Sequence, residues 1–248
     1  MTQYDIKTRH GNIHTLEQGA GKPVIFLHGW SIDGYACRRV LHTLGKRYRV
    51  IVPTMPGFHP SFAWKKRVNQ QWMTEAMTDW FDAVDLVRPV LIGHSLGGVN
   101  AMLLASERQS ILRELILIDT VGIPLASRKS IDWQRAWVKK RAQSFSMYGL
   151  SVPFTIDRSF VKQVLVRPKQ LTSLSTFATQ VDCAKVAKTI TVPTLIVWGA
   201  EDYFTPITIG ETLVSILAKG KIKTVPGNHD WPIFNPDPLL EILEAEGY

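Results

Sequence analysis

Cysteine is scarce in this 248-residue chain: Cys37 and Cys183 stand far apart and in no metal-ligand spacing. That scarcity excludes a disulfide framework or a zinc ribbon, and both thiols are expected to be ordinary core groups. No apolar run reaches the ~18 to 20 residues that a membrane-spanning helix needs. The opening Met1 to His10 has no apolar centre of the kind a secretory signal carries, so the expectation is a soluble, cytoplasmic protein. Internal repeats and low-complexity tracts are missing too. The composition, 45% hydrophobic and 20% charged, suffices for a single sizeable core.

A regular rhythm runs along the chain. Asp5–Arg9 and Asn12–Glu17 flank His10-Gly11 as a hairpin, the glycine permitting the turn. Pro23–Leu27, Arg49–Pro53, Pro89–Ile92, Glu114–Ile118, Thr194–Trp198 and Lys221–Val225 are short apolar runs, mostly rich in β-branched residues, as in strands buried on both faces. Helical stretches separate them at Tyr35–Lys46, Gln70–Leu86, Leu96–Glu107 and Ile207–Leu217, and Pro238–Glu246 closes the chain. Between Leu125 and Thr189 the rhythm stops, leaving helical patches with scattered aromatic residues. Alternating strands and helices predict an α/β fold with a mostly parallel sheet, opened by two antiparallel strands. The expected division is a core of residues 1–124 and 190–248 with a helical cap insertion at 125–189.

Gly93-His-Ser-Leu-Gly97 fits G-x-S-x-G and lies between a predicted strand and a predicted helix, the context that makes this pattern informative. A serine there sits on a tight, strained turn, and the flanking glycines let strand and helix cross closely. The helix starting at Leu96 points free N–H groups and its positive dipole end at the hydroxyl. A serine needs a base, and the base needs an orienting acid. His229 follows the last predicted strand and Asp202 the one before it, so both fall at the carboxyl edge of the sheet beside Ser95. Asp119, ending the strand through Ile118, is the competing acid, and Glu201 adjoins Asp202. His28 and His94 are expected to be structural, bonded to backbone beside the site.

With these residues in order Ser95, Asp202, His229, the chain resembles the α/β-hydrolase fold superfamily from its first strands to its last helix. The resemblance implies an eight-stranded, mostly parallel sheet flanked by helices, with Ser95 as nucleophile, Asp202 as acid and His229 as base. It places the oxyanion loop at Leu27-His-Gly-Trp-Ser31, so that the amides of Trp30 and Leu96 would hold the oxyanion. Thr54-Met55 departs from the family pattern, in which an acidic residue is frequent; the departure bears on turn structure rather than chemistry. The His28-Gly-Trp30 and Gly93–Gly98 segments are similar to small bacterial carboxylesterases, among them those acting on the methyl ester of a pimeloyl-carrier protein. The implied activity is a serine esterase with no metal and no organic cofactor. The same triad also serves C–C bond hydrolysis, perhydrolysis and lactone opening, and the fold also serves ligand-binding receptors with slow or no turnover.

Net charge is +8, and its position matters more than its size. Twelve lysines and arginines against three aspartates fall between Leu125 and Ile190, leaving 17 bases against 18 acids elsewhere. A basic insertion over the mouth would concentrate an anionic or carrier-bound ester, or alternatively be no more than a solvated face; membrane-surface contact ranks below these and nucleic acid is not expected. Within Ser130–Arg141, Trp133 and Trp137 are expected to face the pocket, and Arg135 and Lys139 to Arg141 to face solvent. Phe145, Met147 and Tyr148 complete the expected substrate pocket, suited to an apolar acyl or alcohol group.

Overall fold

Residues one apart in the central strands pack on opposite sides of a sheet, as a side-chain period of two demands. In β3 (Pro23–Leu27), Val24 and Phe26 join one buried cluster while Ile25 and Leu27 join another; β5 (Val90–His94), β6 (Glu114–Ile118) and β7 (Thr194–Gly199) divide in the same way. Two cores therefore lie on the two faces of one sheet, which is why these strands read as unbroken apolar runs. The computed structural model describes residues 1–124, 133–149 and 154–248, the side chains of residues 133–138 and 140 excepted.

The remaining strands are β1 (Thr2–Thr8), β2 (Gly11–Gln18), β4 (Arg49–Pro53) and β8 (Gly220–Val225). The eight run in the order β1-β2-β4-β3-β5-β6-β7-β8. The β1–β2 and β2–β4 pairs are antiparallel and all others parallel, as the sequence led us to expect. β8, at the edge, exposes Lys221 and Lys223, charges that discourage pairing with another chain.

One face is covered by α2 (Gln70–Val84), α3 (Leu96–Arg108) and α8 (Thr208–Ile216), the other by α1 (Arg38–Leu44), α9 (Trp231–Phe234) and α10 (Asp237–Ala245). A four-residue 3-10 turn, Gly34–Cys37, precedes α1 because the Asp33 side chain accepts from the Ala36 amide and starts the turn early. Sequence reading missed α9, in which Pro232 is tolerated because a proline in the first helical turn has no hydrogen bond to lose.

Between β6 and β7 the described residues form α4 (Trp133–Tyr148), α5 (Phe154–Val166), α6 (Pro168–Gln180) and the short α7 (Ala184–Ala187). α5 and α6 are tied to the loops beyond β3 and β4. Ser159 Oγ accepts from the Asp33 amide at 3.0 Å, Gln163 exchanges two 2.8 Å bonds with the His59 backbone, and Trp30 Nε1 donates to the Leu171 carbonyl at 3.0 Å. Among the described residues, no helix is long and apolar enough to cross a membrane.

Candidate active site

Ser95 occupies the single residue between β5 and α3, with φ 55° and ψ −119°, a backbone state that few non-glycine residues adopt. Surrounding backbone holds it there: its amide donates to the Ile118 carbonyl at 2.9 Å, and its carbonyl accepts from the Gly98 amide at 3.0 Å. The glycines are required by close approach. A Cβ on Gly97 would lie 2.1 Å from the Leu27 carbonyl oxygen, and one on Gly98 would lie 2.0 Å from Thr120 Oγ1. Helix and strands cross at distances that leave no room for a methyl group, and the serine is displayed at the crossing. α3 starts at the next residue, so the Leu96 amide is among the first-turn N–H groups that have no acceptor within their own helix.

The other two residues arrive on the loops that follow β7 and β8. Asp202 sits in a turn whose own amides bind it: Oδ1 accepts from Phe204 N at 2.7 Å and Thr205 N at 2.9 Å. Its Oδ2 accepts from Thr205 Oγ1 at 2.5 Å and from His229 Nδ1 at 2.8 Å. Burial pushes this carboxyl up, but the His229 charge and the donors from His229 and Thr205 outweigh burial and hold it below the usual aspartate range. His229 Nε2 in turn lies 3.0 Å from Ser95 Oγ, and all three residues are buried.

The His229 loop is fixed from several sides. Gly227, at φ 141°, receives the Glu201 carboxylate on its amide and returns its carbonyl to the Glu201 amide at 3.0 Å. Glu201 therefore clasps the two loops together. His94 Nε2 donates to the His229 carbonyl at 2.8 Å. His28 donates from Nδ1 to the Gly29 carbonyl at 2.8 Å and accepts the Met55 amide on Nε2 at 3.0 Å; burial lowers its pKa to about 4, the neutral form these two bonds require. Thr54, in the departure from the family pattern, accepts the Gly34 amide on its hydroxyl at 3.0 Å.

Asp119 is fully buried at φ 44° and uses Oδ1 to accept the Gly199 amide at 2.8 Å. Burial, reinforced by the nearby Asp202 charge, raises its carboxyl well above the ordinary range, toward the neutral acid. Of these two carboxyls it is Asp202 that hydrogen-bonds the imidazole. His94, Asp119 and His229 each bring one potential metal-ligand atom within 4.8 Å of the others. Both His229 nitrogens and His94 Nε2 are already committed to Asp202, Ser95 and the His229 carbonyl, so the cluster fits proton transfer better than a cation.

A cavity of about 40 Å³ opens beside Ser95 and His229, lined also by Gly29, Trp30, Ser31, Ile32, His94, Arg141, Ile156, Asp157, Phe160, Phe204 and Asp230. Trp30 lines it, with its ring centroid 6.2 Å from that of Phe160. Phe145, Met147 and Tyr148 do not contribute to this lining. The reason is helical register: Arg141 and Ser144 occupy the buried face of α4, Met147 is exposed, and Tyr148 packs against Phe234 at 5.1 Å. The side chains of Trp133 and Trp137 lie outside the described residues. Sequence reading also put Arg141 in solvent with Lys139. Lys139 is exposed, but Arg141 is buried and paired with Asp157, a contact that helical spacing on one element cannot reveal.

Sequence reading overlooked Thr205 as well. Its hydroxyl donates to Asp202 and lies 3.2 Å from His229 Nδ1, so it fixes the carboxylate against the imidazole. Thr205→Val removes that bond at constant shape. A hydrogen bond to a charged group contributes about 1.5 to 3 kcal/mol, so kcat is expected to fall about ten-fold or more, with Thr205→Ser restoring most of it, in steady-state turnover.

Comparison with known proteins identifies relatives of the chain. A family model described as the alpha/beta hydrolase family matches residues 24–242. A 2-hydroxy-6-oxononadienedioate/2-hydroxy-6-oxononatrienedioate hydrolase of Pseudomonas sp is 23% identical over 81% of this chain and 79% of its own. A pimeloyl-[acyl-carrier protein] methyl ester esterase of Legionella pneumophila is 24% identical over 79% of this chain and 82% of its own. Among solved structures, a serine hydrolase involved in carbazole degradation superposes with a TM-score of 0.84 at 18% identity, covering 98% of this chain and 97% of that one.

Proposed function

The chain belongs to the alpha/beta hydrolase family, and from that membership we propose that it is a serine hydrolase cleaving a carboxylic ester through Ser95, His229 and Asp202. The observation that carries this reading is the unbroken relay from Ser95 Oγ to His229 Nε2 at 3.0 Å and from His229 Nδ1 to Asp202 at 2.8 Å, set at the start of α3. His229 accepts the Ser95 proton as Oγ attacks the carbonyl carbon, and the carbonyl electron pair moves onto oxygen. The amides of Trp30 and Leu96 receive that charge, each such donor contributing about 3 kcal/mol at the transition state. Asp202 stabilises the imidazolium, which then gives its proton to the departing alkoxide. Water, deprotonated by His229, next attacks the acyl-enzyme, and the acid leaves as Ser95 recovers its proton.

Residues 125–189 act in this reading as a cap. Support comes from the bonds that α5 and α6 make to the Asp33, His59 and Trp30 segments, and from Ile156 and Phe160 in the cavity lining. The apolar part of the lining, Trp30, Ile32, Ile156, Phe160 and Phe204, suits an aliphatic or aromatic group on the ester, and the basic excess of this segment suits an anionic or carrier-bound one. A second reading, C–C bond hydrolysis of an oxo acid on the same triad, is favoured by the Pseudomonas relative that spans four-fifths of the chain.

Two measurements separate the possibilities: labelling by a fluorophosphonate, and turnover of p-nitrophenyl esters from acetate to laurate beside a vinylogous 2-hydroxy-6-oxo acid. The expected result is a stoichiometric adduct with ester turnover at least ten-fold above that of the oxo acid in kcat/KM. The reverse preference selects the second reading. No adduct under native conditions removes both in favour of a binding protein.

A further inference from the structure

Arg141 stands in the wall of the cavity beside Ser95. It lies on α4, is 7% exposed, and lines the space that Ser95 and His229 border. Its Nη2 donates to Asp157 Oδ2 on α5, and its guanidinium carbon sits 4.9 Å from the centre of the Phe145 ring, so two helices fix its position. Among the described residues Nη1, which is buried, has no hydrogen-bond partner. A guanidinium carries five N–H donors in a rigid fork, and one left unmatched away from water is costly enough to need a reason.

Asp157 does not supply that reason, since it engages the other terminal nitrogen. Its carboxyl is also held above the ordinary range by burial, against the pull of Arg141. The remaining acid in the lining, Asp230, adjoins His229 in sequence and disfavours an anion at that end of the cavity. Arg141 is the one arginine or lysine among the described lining residues.

Building on the esterase reading, which makes this cavity the substrate's, we propose that Arg141 is a specificity residue that binds a carboxylate on the acyl part of the substrate. The substrate class is then the half-ester of a dicarboxylic acid: one carboxyl esterified and facing Ser95, the other free and paired with Nη1. A charge-assisted bond in a site this dry strongly favours the acid over its neutral counterpart, which leaves the donor unmatched.

The test reads binding, so it does not depend on turnover. The full chain carrying Ser95→Ala is titrated calorimetrically with monomethyl esters of straight-chain dicarboxylic acids from glutarate to suberate, and with the corresponding dimethyl esters. The best half-ester is expected to bind at least ten-fold more tightly than its diester, and adding Arg141→Met is expected to bring the two within two-fold. Asp157→Asn, which releases Arg141 from its acidic partner, is expected to widen the preference, and it decides the question if Arg141→Met does not fold. Half-esters and diesters binding alike, or neither binding, overturns the proposal; so does a preference that survives Arg141→Met or fails to widen with Asp157→Asn. Half-ester binding through Arg141 in a chain that cleaves no ester would instead reject the esterase reading and leave this site standing.

Discussion

Ser95→Ala is expected to lower kcat on p-nitrophenyl esters by about 10⁵- to 10⁶-fold and to abolish the fluorophosphonate adduct, while KM changes little. The size follows from what the side chain does: every later step passes through the bond its oxygen makes, and alanine leaves only the amides of the oxyanion site to act on water's attack. In the proposed mechanism Ser95 and His229 exchange one proton across their 3.0 Å contact, so they would work as a unit. The double variant Ser95→Ala/His229→Ala should therefore fall no further than either single one. Additive losses, or turnover that survives Ser95→Ala, would mean that the nucleophile lies elsewhere.

Asp202→Asn is expected to cost about 10⁴-fold in kcat, and Asp119→Asn less than ten-fold. Both carboxyls are buried near the imidazole, and their environments push them apart. Asp202, fed by four donors, is held below the ordinary range, so it is the anion that can orient Nδ1–H and offset a positive ring. An amide there can turn its NH₂ toward the ring, which favours the wrong tautomer. Asp119 is driven toward the neutral acid by burial, and an asparagine keeps the carbonyl oxygen that accepts the Gly199 amide. Steady-state kinetics of the two variants decides the matter: a far larger loss at Asp119 would make it the acid and Asp202 a turn residue.

The sheet was legible because its strands sit between two cores. Val24 and Phe26 face one, Ile25 and Leu27 the other, so burial on both faces writes an apolar run into the sequence. The G-x-S-x-G turn was legible for a steric reason: only glycine tolerates the 2.1 Å approach to Leu27 at position 97. Asp202 and His229 were placed at the right edge by topology alone, since each follows a parallel strand. The cavity wall was not legible. Arg141 reads as one more base in a basic stretch, and nothing local distinguishes it from exposed Lys139; its burial comes from Asp157, sixteen residues on and on another helix. Thr205 likewise looks like a turn residue until the β8 loop brings His229 beside it.

Local pattern and steric necessity, both properties of neighbours in the chain, thus determined the α/β architecture and the residue types at the ends of its strands. Which side chains share a hydrogen bond, which charge is enclosed and which is solvated were decided by the tertiary structure. Those outcomes depend on contacts between residues as distant as Ser95 and His229, whose energies no stretch of sequence contains.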